Sequence, residues 1–180
     1  MNRLTVMVLA LFIMLGYSVN TVAESPYLIP KPGSTVKIKR TLVVPPGYTK
    51  VYLQRGQVVS KRNLDRYYPS CNFEVWKLRQ TPTKIHPGTF SVARTVRDID
   101  FMVQLNPLQR DAPRRVDSDY GGMDMIIHVV HMRLKSTKQP NVYRLTCRSW
   151  QDFPPEAKEP TMKDMREALG GKASIRLSRR

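Results

Sequence analysis

The chain is short of acids, cysteines and histidines, and beyond its first residues it has no long apolar run. Each shortage excludes something. Only 14 acidic residues stand against 30 Lys and Arg, so the chain is strongly basic. The three histidines are His86, His128 and His131. In a strand, side chains three positions apart point to opposite faces, so His128 and His131 cannot chelate one metal together. The two cysteines are not in a C-x-x-C pair, which argues against a redox centre. G-x-S-x-G, a P-loop and a dinucleotide fingerprint are all absent. Ser118 between Asp117 and Asp119 reads as a turn. Asp98 and Asp100 share one face of a strand, and the plainer account of them is two solvated carboxylates. A non-enzyme is expected, with no cofactor and no metal.

What is present begins with an export signal. Arg3 supplies a charged start, Leu4 to Leu15 is apolar apart from Thr5, and Thr21 and Ala23 place small residues at a cleavage site. This predicts a signal peptide over 1–23, cut after Ala23. The apolar stretch is short of the ~20 residues that span a bilayer. With no cysteine beside the cut, no lipid anchor is expected, and no transmembrane span after cleavage. The expected location is periplasmic or secreted.

Export changes what charge and cysteines mean. The whole chain carries +16, and Arg3 is the one charged side chain of the leader, so the mature part carries +15. Such a surface is drawn to polyanions. Outside the cytoplasm these are not nucleic acid but lipopolysaccharide, peptidoglycan, anionic lipid or an acidic protein. Plain solubility accounts for the charge equally well. Cys71 and Cys147, in an oxidising compartment, predict a disulfide. It closes a loop of roughly 77 residues, for which chain entropy gives at most ~4 kcal/mol. The expected bridge staples two sheets or two ends of one barrel.

Pattern predicts a mainly β protein: a small antiparallel β-sandwich or barrel with one C-terminal α-helix. After an extended leader over 24–34, the β domain runs over 35–150. Thr35 to Val44 alternates, broken at Arg40. Thr49–Gln54 and Gln57–Ser60 flank Arg55-Gly56 as a hairpin. Asn72–Leu78, Thr89–Val96, Phe101–Leu105, Met123–Leu134 and Asn141–Trp150 are further strands. The last two are joined by a turn over Ser136–Pro140. Asn106–Gly122 is expected to be a long exposed loop. Residues 151–180 divide into a proline-rich linker, a helix over Thr161–Leu169 and a frayed basic tail. Thr161 caps the helix and Gly170-Gly171 stop it.

The densest chemical signal is in the first half of the mature chain. Lys37, Lys39, Arg40, Lys50, Arg55, Lys61, Arg62 and Arg66 fall close together, interleaved with Tyr48, Tyr52, Tyr67 and Tyr68, against Asp65 alone. Cations with aromatics on a sheet neutralise and stack on a charged chain. The plainer account is a solvated face whose lysines discourage edge pairing.

Three segments carry a resemblance: Val44-Pro45-Pro46-Gly47-Tyr48-Thr49-Lys50-Val51-Tyr52-Leu53-Gln54-Arg55-Gly56, Leu64-Asp65-Arg66-Tyr67-Tyr68-Pro69-Ser70-Cys71, and Ile85-His86-Pro87-Gly88-Thr89-Phe90. Through them the chain resembles a family of small exported proteobacterial proteins without an assigned activity. The resemblance implies a periplasmic β domain and no catalytic residues.

The expected function is therefore non-catalytic: binding or scaffolding in the envelope, through a basic sheet face that contacts an anionic envelope polymer or an acidic protein. Two alternatives stand beside it. One is an accessory subunit of a secretion, surface-appendage or envelope complex, docked through the C-terminal helix. The other is a hydrolase built on scattered carboxylates.

Overall fold

The computed structural model describes residues 28–102 and 125–178. The expected export signal over 1–23, the expected loop over Asn106–Gly122, most of the strand expected over Phe101–Leu105 and the last two residues lie outside them.

Ten strands form. They are β1 (Thr35–Ile38), β2 (Leu42–Val44), β3 (Lys50–Gln54), β4 (Gln57–Val59), β5 (Ser70–Val75), β6 (Thr83–Ile85), β7 (Gly88–Met102), β8 (Met125–Lys135), β9 (Val142–Arg148) and β10 (Ala173–Arg176). Among the described residues an α-helix, α1 (Met162–Leu169), precedes β10. Eight strands make one antiparallel sheet in the order β10-β1-β7-β8-β9-β5-β3-β4, and β2 with β6 makes a small second sheet. The large sheet curls into a half-barrel.

Alternation explains the curl's two surfaces. Val36, Ile38, Leu53, Phe73, Phe90, Val130, Met132 and Leu145 point inward and are fully buried. Their neighbours in sequence point outward. α1 lies on the inner surface. It touches β3 and β5 near one end of the strand order and β10 at the other, so it bridges the opening that the curl leaves. Met162, Met165, Ala168 and Leu169 are buried there, each larger side chain contributing roughly 1.5–3 kcal/mol. The Thr161 hydroxyl accepts from the Asp164 N–H at 3.2 Å, and the Asp164 carboxylate accepts from the Thr161 N–H at 2.8 Å. This capping box satisfies two otherwise orphaned backbone donors.

Three expectations are corrected. Thr35–Val44 is two strands in two sheets, because the chain turns at Arg40, where the N–H groups of Lys39 and Arg40 both donate to the Lys172 carbonyl. The basic tail is not frayed: Ala173–Arg176 pairs with β1 from Thr35↔Arg176 to Ile38↔Ala173 and buries Ala173 and Ile175. The disulfide forms between Cys71 and Cys147, but it joins directly opposed residues of the neighbouring strands β5 and β9 within one sheet, Cα atoms 4.0 Å apart. It staples neither two sheets nor two barrel ends, and it lies buried beneath α1, with the Cys71 sulfur 3.9 Å from the Met165 carbonyl.

Candidate functional site

The outward residues of the central strands meet across the ladder, since directly opposed residues share a face. One cross-strand row runs Lys50, Glu74, Arg144, Arg133, Arg94 from β3 to β7. The next runs Tyr52, Asn72, Thr146, His131, Val96, and the third Ser70, Arg148, Val129, Asp98. The outer face is thus a polar surface across five strands, with cations in four of the five places of its first row.

Its carboxylates are committed. Glu74, whose side chain is 9% exposed, accepts from Arg144 Nε at 2.8 Å and lies 3.8 Å from Lys50 Nζ. Arg148 Nε reaches Asp100 at 3.2 Å, and its Nη1 donates to the Asn72 side-chain oxygen Oδ1 at 2.9 Å. Asn72 is buried, and its Nδ2 has no hydrogen-bond partner among the described residues. His131 Nδ1 is 2.9 Å from the Thr146 hydroxyl, and Nε2 is 3.8 Å from Asp98. Burial holds the His131 imidazole below its usual pKa, with Arg144 adding to the effect and Asp98 opposing it. The Tyr52 hydroxyl is pushed up, first by burial, with Arg148 pulling the other way.

At the β3 end this face folds into a double groove. One part, about 420 Å³, is lined by Tyr48, Lys50, Tyr52, Val58, Lys61 and Arg62 among others. The other, about 380 Å³, shares Lys50, Tyr52, Lys61 and Arg62 and adds Arg66, Tyr68, Ser70 and Arg148. Asn72 sits between the cross-strand neighbours Tyr52 and Thr146, beneath this second part. The groove's wall is held by one side chain. Gln54 Nε2 donates to the carbonyls of Asp65 at 2.8 Å and Tyr68 at 3.0 Å, and its Oε1 accepts from the Asp65 N–H. The Gln151 N–H donates to the Arg66 carbonyl from the other side at 2.8 Å. Asp65 and Asp100 also line the groove, but the Asp65 carboxylate accepts from the Tyr67 N–H, and Asp100 pairs with Arg148.

The structure therefore divides the basic cluster seen in sequence. Lys50, Lys61, Arg62, Arg66, Tyr48 and Tyr52 come together. Arg55, at the β3–β4 turn, joins them by lying 3.4 Å over the Tyr68 ring. Lys37, Lys39 and Arg40 do not join: Lys37 faces a shallow hollow with Thr89 and Arg176 on the β10 side. Sequence proximity misled here because four strands separate β1 from β3 in the sheet order.

Sequence reasoning also missed Arg144 and Arg148, although their alternation with the buried Leu145 and Cys147 marks them as outward. It missed Trp76 and Tyr143 altogether. Their rings stack at 3.7 Å between centroids and 15° between planes. No family model matches the chain, and no curated protein or solved structure matches it either.

Proposed function

We propose that this protein is a non-catalytic, exported binding protein whose outer sheet face holds an anionic polymer of the cell envelope. The observation that carries the reading is the groove beside β3. There Lys50, Lys61, Arg62, Arg66 and Arg148 converge around Tyr52 and Tyr68. Lys61, Arg62 and Arg66 are exposed, so their charge is presented to solvent at little desolvation cost. Tyrosines between them offer flat surfaces on which polymer units stack. The leader at 1–23 and the disulfide support work in an oxidising compartment outside the cytoplasm.

The geometry is less favourable to the two alternatives. The apolar side of α1 is spent on its own sheet, which leaves a charged outer side with Lys163 and Glu167 to meet a partner. The two carboxylates of the groove are each tied to another group, which is poor preparation for acid–base hydrolysis.

The test is retention on lipopolysaccharide, peptidoglycan and anionic vesicles across a salt series. Binding at low salt that falls steeply as salt rises is expected on at least one of them. The combined change Lys61→Glu, Arg62→Glu, Arg66→Glu abolishes it, whereas Lys37→Glu, Lys39→Glu, Arg40→Glu leaves most of it. No retention at low salt on any of the three, or equal loss from both triple variants, overturns the reading.

A further inference from the structure

The stacked pair Trp76 and Tyr143 lies away from the groove and has no part in the core. Trp76 is 53% exposed. Tryptophan is enriched at binding surfaces, where one part of the indole packs and the rest meets a ligand. The rigidity of Trp76 has two sources. The register shift between Glu74 and Val75 leaves Tyr143 as an extra residue of β9 between Val142 and Arg144. Such a bulge re-aims a side chain, and here the ring lands on Trp76. Arg133 then lies 5.2 Å over the indole and Arg144 5.4 Å over the phenol, so guanidinium groups hold the stack.

This pair forms one wall of an open cleft of about 950 Å³. Its charged lining residues are Arg133, Lys135 and Lys138, with no carboxylate among the lining residues. Thr89, Ser91 and Ser136 give it a hydroxyl rim. Flat aromatic surface, hydroxyls and unopposed positive charge fit one ligand chemistry closely. A sugar ring offers a C–H face for the indole and hydroxyls for the rim, and an acid group on it meets the cations. An acyl chain would instead meet three cations, Arg133, Lys135 and Lys138, in a cleft open to water.

We infer that the Trp76 cleft is a sugar-ring subsite for an acidic polysaccharide. The inference rests on reading the outer face as a polyanion-binding surface, and it names the polymer's class. Arg133 ties the two places together. It lines the cleft and is also the fourth member of the row that starts at Lys50 in the groove. Three strand spacings of ~4.8 Å separate Lys50 from Arg133, roughly 15 Å. A single linear acidic chain spans both and gains by multivalency.

The chain has two tryptophans, so Trp150→Phe leaves Trp76 as the reporter. Titrating this variant with an oligogalacturonate is expected to change the indole emission saturably, with a neutral malto-oligosaccharide binding about tenfold more weakly. In calorimetry, Trp76→Ala weakens the oligogalacturonate by on the order of tenfold, and Lys135→Glu with Lys138→Glu weakens it similarly without touching the indole. No saturable emission change, or wild-type affinity in Trp76→Ala, overturns the subsite. If low-salt retention on envelope polymers persists in that case, the wider reading stands. A Trp76 response without such retention fails the wider reading and leaves the subsite.

Discussion

Gly170 follows α1 at φ 50° and ψ −140°, a conformation that side chains avoid, and its N–H donates to the Arg166 carbonyl. A Cβ there would stand 2.4 Å from the Gly56 Cα. Gly56 itself, at φ 72°, sits in the β3–β4 turn and donates its N–H to the Ala168 carbonyl at 3.1 Å. Two glycines thus let the hairpin turn cap the helix end by backbone alone. Gly171, one residue on, has open space where its Cβ would be. Gly170→Ala is expected to cost about 1–3 kcal/mol from backbone strain alone, with the clash added. Gly171→Ala stays within ~0.5 kcal/mol of the parent. Urea denaturation of the two variants checks the contrast. Sequence marked both glycines as helix stops, but it gave no means of telling them apart, because the difference lies in what Gly56 brings from more than a hundred residues away.

At the scale of elements, the C-terminal segment changes meaning most. Composition made 151–180 an appendage, with a linker, a helix and a loose tail. In the fold, α1 plugs the half-barrel and β10 pairs with β1 along its edge. The helix was legible because its cap, its length and its stop are local. The strand was not, because four residues of Ala-Ser-Ile-Arg gain strand character only from the edge that waits for them. Removing residues from Thr161 onward is expected to uncover Phe73, Leu53, Val36 and the disulfide, and to abolish cooperative thermal unfolding followed by circular dichroism. Removal of the segment as a partner-docking test would therefore report loss of the fold. If the shortened chain melts cooperatively near the parent temperature, α1 is not part of the core.

For the whole molecule, charge and protonation act across the outer face. His131 is held mostly neutral by burial and by Arg144. A lowered pKa in the folded state means that the unfolded chain takes up the proton first. The contribution to stability is complete above about pH 6.5, the unfolded value, and is lost as pH falls through the lower folded value. Stability is expected to begin declining below about pH 6.5, well before carboxylates titrate. His131→Gln removes that part of the slope in urea midpoints measured between pH 7.5 and 5. An unchanged slope places the acid sensitivity elsewhere.

The sequence by itself determined the strands with clean alternation, the Arg55-Gly56 hairpin, the helix with its cap, the pairing of two cysteines and the strong positive balance. These are local patterns or simple counts, and each follows from residues near one another in the chain. Tertiary structure decided which side chains meet. It set β1 apart from β3 by inserting β7, β8, β9 and β5 between them, and so removed Lys37, Lys39 and Arg40 from the groove. It brought Arg148 from β9 to Tyr52 of β3, and a one-residue bulge turned Tyr143 onto Trp76. Sheet order and register are long-range choices, fixed by the burial of whole faces rather than by any single stretch of chain.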